Sequence, residues 1–346
     1  MSAMRLQDLK IVRILVGVLK KLWAISSATA LACLILYWFY GGLLAFLLLL
    51  FAITGILYHA EDQLIYHPDM PSHSRVFVPL PSMFGLPYES ISYKAGDGTA
   101  LHMFFIRHPG EKGLHAPTIV FFHGNAGNMG HRLTYISGFY KALNYNVLLL
   151  EYRGYGLSGG CPSEEGLCMD ARAALDYLYT RHDINHSKII LFGRSLGGAV
   201  AIDLATNVEY STRIWCLIVE NTFTSIPEMA KVLLIWKPIE YLPLCFYKNQ
   251  FMSLHKIPCM TVPTMFISGQ ADTLVPPSMM TLLHSRCGSE LKYLHKIEGG
   301  THNETWTKKG YYQAIASFVE TVAAQGTLTQ PPMKHNIDVH RVILDV

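Results

Sequence analysis

The six residues Gly193-Arg194-Ser195-Leu196-Gly197-Gly198 constrain this chain more than any other stretch. The segment before them, Ser187–Phe192, ends in Ile189-Ile190-Leu191-Phe192 and reads as a short buried strand. The segment after them, Gly198–Ala205, is small and apolar and reads as a helix. A G-x-S-x-G pattern placed between a strand and a helix demands a sharp reversal of the chain. The flanking glycines leave room for that reversal, and the turn lifts the Ser195 hydroxyl to the top of a sheet. The amide of Leu196 then lies at a helix N-terminus. N–H groups there have no intrahelical partner and can stabilise an oxyanion.

The second constraint is a gap in the charges. No Asp, Glu, Lys or Arg lies between Lys21 and Glu61. This gap explains a mean hydropathy of +0.25 and a charged content of only 15%, low for a soluble domain. A membrane-crossing helix needs about twenty apolar residues, and a cleaved signal has a shorter apolar region. Residues 22–60 are therefore expected to be an uncleaved transmembrane anchor behind a basic segment, 1–21. That segment carries Arg5, Lys10, Arg13, Lys20 and Lys21 against Asp8, a net +4. With +3 for the whole chain, −1 remains for the rest. No basic stripe is left for phosphates, so a nucleic-acid partner is not expected. Positive charge before the anchor, with Glu61 and Asp62 after it, predicts a single-pass type II protein whose large domain is lumenal or extracellular. The alternative is two short helices broken at Tyr40-Gly41-Gly42, a hairpin that returns the domain to the cytosol.

A regular alternation follows the anchor. Arg75–Pro79 reads as an edge strand. Ser90–Lys94 and Ala100–Ile106 flank Gly96-Asp97-Gly98 as a hairpin. Strands are expected at Thr118–Phe122, Asn146–Glu151, Lys188–Phe192, Trp215–Glu220, Thr264–Ser268 and Lys292–Ile297. Helices are expected at Leu133–Leu143, from Ser163 to about Thr180, and near Pro277–His284 and Tyr311–Ala324. An antiparallel start followed by strand–helix units implies an α/β fold, a mostly parallel sheet with helices on both faces. The domain is expected over 61–325. Residues 224–258, with Ile235-Trp236, Tyr241-Leu242-Pro243-Leu244 and Phe246-Tyr247, break the rhythm and read as a short cap. Residues 326–346 are expected to be a flexible tail.

A serine nucleophile needs a base, and the base needs an orienting acid. Beyond the strand at 264–268 lies Asp272, and beyond the strand at 292–297 lies His302. This is the order Ser, acid, His along the chain. The expected catalytic residues are Ser195, Asp272 and His302. Glu220, which also ends a strand, competes with Asp272 for the acid's place. The loop His123-Gly124-Asn125-Ala126-Gly127-Asn128 is small enough for a backbone amide to approach substrate. Asn125 N–H and Leu196 N–H are therefore the expected oxyanion donors. Seven cysteines form no C-x-x-C pair, so neither a metal site nor any other cofactor is expected. The sequons Asn185-His186-Ser187 and Asn303-Glu304-Thr305 are candidate glycosylation sites in a lumenal domain. A catalytically silent, membrane-tethered binding module on the same fold is the alternative to an enzyme.

These stretches, with Tyr152-Arg153-Gly154-Tyr155-Gly156, Glu220-Asn221-Thr222-Phe223 and Gly300-Thr301-His302-Asn303-Glu304-Thr305-Trp306, resemble the alpha/beta-hydrolase domain-containing proteins. The likeness covers about residues 35–325. It implies an alpha/beta-hydrolase fold and a membrane serine hydrolase acting on an acylated lipid or protein. Related members cleave protein S-palmitoyl thioesters, so the resemblance implies that activity as well.

Overall fold

Short β-rich runs alternate with segments of helical periodicity, and the central strands are too apolar to stand alone. In the computed structural model, which describes residues 4–234 and 241–328, the strands join in one eight-stranded sheet of order β1-β2-β4-β3-β5-β6-β7-β8. The strands are β1 (Glu89–Lys94), β2 (Ala100–Ile106), β3 (Thr118–Phe122), β4 (Asn146–Glu151), β5 (Ile189–Arg194), β6 (Cys216–Glu220), β7 (Thr264–Gly269) and β8 (Lys292–Ile297). The hairpin β1–β2 is antiparallel and β2 joins β4 antiparallel. From β4 through β3 to β8 every pairing is parallel. Strands β3 to β6 are buried along their whole length, as parallel strands covered by helices must be.

Ser163 ends its extended approach by accepting a hydrogen bond from Gly166 N at 3.1 Å, and Glu164 and Glu165 occupy the helix's first turn. Both favour a helix start there. Chain elements α4 (Leu133–Lys141), α5 (Glu164–Tyr179), α6 (Leu196–Thr206), α10 (Pro277–Arg286) and α11 (Tyr311–Leu328) pack around the sheet. The shorter α3 (Gly110–His115), α7 (Val208–Ser211) and α9 (Ser253–Lys256) lie between them. An aromatic cluster fills one layer of the core. Phe121 stacks on Phe192 with ring centres 5.4 Å apart, and Tyr135 and Phe139 of α4 close over both.

The chain forms two compact units, Met1–His67 with Ala230–Gln250, and Pro68–Met229 with Phe251–Val346. The sheet belongs to the second. In the first, the apolar window is built as two helices, α1 (Met4–Tyr40) and α2 (Gly42–Ile65). Gly41 separates them at φ 88°, a left-handed conformation that suits glycine. The two helices pack on each other. Leu15–Tyr40 is long and apolar enough to cross a membrane.

One sequence expectation changes. Arg75–Pro79 is not a strand: Val76 N and Phe77 N both donate to His73 O, so its backbone is spent on a turn. Of the expected cap, 224–258, residues 235–240 lie outside the described residues. Helix α8 (Ile226–Leu233) starts the segment, and 230–250 group with the N-terminal helices. Of the expected tail, 329–346 lie outside the described residues.

Candidate active site

Strands β3, β5, β6, β7 and β8 run parallel, so the loops leaving their carboxyl ends share one edge of the sheet, where ligands of such sheets bind. Ser195 follows β5 and holds φ 54° and ψ −120°. A non-glycine residue there is strained. The turn is held by backbone bonds: Ser195 N donates to Glu220 O at 2.9 Å, and Thr222 Oγ1 donates to Ser195 O at 2.7 Å. Its tightness explains the glycines. A Cβ on Gly193 would sit 2.2 Å from Gly197 O, and one on Gly197 would sit 2.1 Å from Phe122 O.

His302 Nε2 lies 3.1 Å from Ser195 Oγ, and His302 Nδ1 lies 2.7 Å from Asp272 Oδ2. A carboxylate accepts only, so Nδ1 carries the proton and Nε2 faces the serine as an acceptor. The other oxygen, Asp272 Oδ1, accepts from Leu274 N and Val275 N, both at 2.9 Å. The Asp272 side chain is 1% exposed and that of His302 12%. The carboxylate is thus locked by amides while the imidazole reaches the surface. The loops carrying them are tied by backbone bonds, Gln270 N to Ile297 O at 3.0 Å and Ala271 N to Gly300 O at 2.9 Å.

Glu220 is fully buried and turned to other partners. Tyr135 Oη donates to its Oε2 at 2.8 Å, and Tyr311 Oη donates to the same oxygen. Burial pushes both phenols well above their usual range, and the carboxylate adds to that, so they stay protonated donors. Arg194 Nε lies 3.4 Å from Glu220 Oε1, an ion pair without hydrogen-bond geometry.

The loop after β3 passes directly beside the serine: a Cβ on Gly124 would touch Ser195 Cβ at 3.5 Å. Asn125 Oδ1 accepts from Tyr155 Oη at 2.8 Å, which fixes the side chain of the expected oxyanion donor. Leu196 opens α6, so its amide is one of the helix's first N–H groups. Two carboxylates hold this region from below. Glu151 accepts from Met129 N at 3.1 and 3.3 Å and lies 3.1 Å from His123 Nε2. Asp170 accepts from Arg153 N at 2.8 Å and Nε at 2.9 Å.

Sequence reasoning named no role for Arg194 or Asn221. Arg194 Nη2 donates to His302 O at 2.6 Å and to Asn303 Oδ1 at 2.5 Å. Asn221, at φ 45°, donates from Nδ2 to Thr305 Oγ1 at 3.0 Å and accepts from Gly269 N at 2.8 Å. The positive φ of Asn221 has one visible sequence cue, an asparagine directly after a strand. The sequon residues lie apart in character: Asn185 Oδ1 accepts from Ser187 Oγ at 2.6 Å, whereas Asn303 is engaged by Arg194. All seven cysteines are unpaired. Among the described residues no group of three or more His, Cys, Asp or Glu is placed to share an ion.

A family model described as serine aminopeptidase, S33, matches residues 114–245. The chain is 40% identical to protein bem46 of Schizosaccharomyces pombe over 81% of its own length and 92% of the relative's. It is 36% identical to the alpha/beta hydrolase domain-containing protein WAV2 of Arabidopsis thaliana, covering 84% of this chain and 95% of that one. An uncharacterized membrane protein of Saccharomyces cerevisiae is 33% identical over 81% of this chain and 95% of its own. Among solved structures, the esterase Pf2001 of Pyrococcus furiosus superposes with a TM-score of 0.58 at 18% identity, covering 72% of this chain and 95% of that one. That likeness shows the alpha/beta-hydrolase fold. The extent of the sequence identity shows more: the chain belongs to the alpha/beta-hydrolase domain-containing family.

Proposed function

We propose that the chain is a membrane-anchored serine hydrolase that cleaves acyl esters or thioesters through a covalent acyl-enzyme. The observation that carries this reading is the relay Ser195–His302–Asp272, with contacts of 3.1 and 2.7 Å. Ser195 Oγ attacks the acyl carbonyl as its proton passes to His302 Nε2. Asp272 holds the tautomer and stabilises the imidazolium without taking its proton. The N–H groups of Leu196 and Asn125 receive the oxyanion. Collapse breaks the bond to the alcohol or thiol, which leaves with the His302 proton. Water then attacks the acyl-enzyme, activated by the same histidine, and releases the carboxylic acid.

The motifs quoted from the sequence resemble those of alpha/beta-hydrolase domain-containing protein 13. That resemblance implies kinship with hydrolases of protein S-palmitoyl thioesters, and so long acyl chains, on lipid or on protein cysteine, as the substrate class. The experiment is a panel of acyl esters and acyl thioesters of increasing chain length, with Ser195→Ala as control. An initial burst of leaving group in proportion to enzyme supports the acyl-enzyme. Turnover that survives in Ser195→Ala overturns it.

Two placements of the domain compete. The charge asymmetry supports one crossing, with the domain on the far side from the N-terminus and Asn185 the glycan acceptor, since Asn303 adjoins His302 and is engaged by Arg194. The break at Gly41 favours the second, a fold-back that leaves both on one side, because 19 uncharged residues lie on either side of it, 22–40 and 42–60. Protease digestion of sealed microsomes decides between them. A domain protected until detergent is added supports the single crossing, and a domain cut at once supports the fold-back.

A further inference from the structure

Helix α2 ends in the first charges after the apolar window, Glu61 and Asp62. Carboxylates at that position stay at the membrane–water boundary under either placement. A distant segment is latched onto them. Lys248 N donates to Glu61 Oε2 at 2.8 Å and Asn249 N to Glu61 Oε1 at 2.7 Å. Asn249 Nδ2 donates to Asp62 Oδ1 at 2.7 Å, and Lys248 Nζ pairs with Asp62 Oδ2. Tyr66 Oη donates to Asn249 Oδ1 at 2.8 Å, and the Lys248 ammonium stands 5.6 Å from the centre of the Tyr58 ring. Asn249 is 1% exposed. The latch is thus a built contact, although 183 to 188 residues separate its partners.

The segment so held carries apolar side chains outward. Tyr241 is 83% exposed, and Leu244 and Phe246 are exposed as well. Clustered apolar surface on a folded chain marks a binding face, and aromatic residues beside a lysine suit the headgroup level of a bilayer. We infer that residues 241–250 form a second membrane contact, inserting Tyr241, Leu244 and Phe246 into the leaflet at which α2 ends. The occupant is lipid because the segment shares one compact unit with the membrane helices and is fixed by the latch at their boundary. A contact of this kind deepens the proposed function and rests on that reading, because the acyl chains of that leaflet belong to the substrate class proposed for the hydrolase.

The test uses the full chain reconstituted in phosphatidylcholine vesicles that contain a phosphatidylcholine with a photoactivatable group on its acyl chain. After irradiation, adducts are mapped by mass spectrometry. Lipid adducts on peptides from 241–250, in addition to those on 15–56, support the inference. Adducts confined to 15–56 overturn it, and so do links between the 241–250 segments of two chains when the same vesicles are treated with a bifunctional amine-reactive reagent that reaches Lys248, which would make a second copy the occupant. In the triple variant Tyr241→Ser, Leu244→Ser, Phe246→Ser, adducts on 241–250 should fall about fivefold or more. Hydrolysis of an acyl ester embedded in vesicles should fall by a similar factor relative to a soluble short-chain ester tested on the same variant. The photolabelling needs no catalysis, so it stays readable if the hydrolase reading fails.

Discussion

Arg194, the residue before the proposed nucleophile Ser195, donates through Nη2 to the carbonyl oxygen of His302 at 2.6 Å. The tip of β5 therefore positions the loop of the base as well as the serine. Behind Arg194 stands Glu220, its register partner on β6, held in turn by Tyr135 and Tyr311. The chain of contacts runs from a buried carboxylate to the backbone of the proposed base.

From this contact we predict that Arg194→Lys lowers kcat by about 10- to 100-fold with little change in KM, because a small displacement of His302 costs catalysis and not binding. Steady-state kinetics on a soluble ester measures the split. An unchanged kcat would remove Arg194 from the positioning role.

Asp272→Asn should cost about a thousandfold or more in kcat, since an amide leaves the imidazole in the wrong tautomer. Glu220→Gln should cost far less activity and instead destabilise the fold by about 1–3 kcal/mol, having weakened buried charge-assisted contacts. Turnover and denaturant unfolding on both variants give the ranking. The reverse order of activities would make Glu220 the acid.

Gly197→Ala should destabilise the domain by about 3 kcal/mol, because its Cβ would lie 2.1 Å from a backbone carbonyl in a turn already strained at Ser195. Gly96→Ala, with nothing within 4 Å of the new carbon, should stay within about 0.5 kcal/mol of the parent. Equal unfolding midpoints for the two variants would contradict the account of the elbow.

Breaking the Arg153–Asp170 contact should be costly out of proportion to its distance from the serine. Arg153→Met leaves the Asp170 carboxylate buried without its guanidinium, and a loss of about 3–5 kcal/mol is expected. Chemical denaturation checks it, and a loss below about 1 kcal/mol would show that Asp170 finds another partner.

Much of this was legible in local pattern. The expected strands Thr118–Phe122, Asn146–Glu151 and Lys292–Ile297 end where the structure ends them, because each is a compact run bounded by residues that prefer turns or loops. Arg75–Pro79 has apolar residues stopped by a proline, like an edge strand, but the amides of Val76 and Phe77 turn back to His73. The choice between Asp272 and Glu220 was harder. Both stand at strand ends, and what separates them is phase: Glu220 is the last residue of β6 and is buried among tyrosines, whereas Asp272 lies three residues beyond β7, on a loop tied to that of His302. The contacts that hold Glu220 join residues 85 and 91 positions away. No local periodicity encodes such pairs. The latch of Glu61 and Asp62 on residues 248 and 249 was hidden for the same reason.

The most direct test is labelling of the full chain with a fluorophosphonate, followed by mapping of the adduct. A hydroxyl activated by His302 attacks the phosphorus and expels fluoride, leaving a stable phosphonate on the serine. The account predicts one adduct, on Ser195, formed rapidly in the parent, absent in Ser195→Ala and strongly slowed in His302→Ala. A folded parent that takes no label under conditions where other serine hydrolases react, or a label that persists in Ser195→Ala, would contradict it.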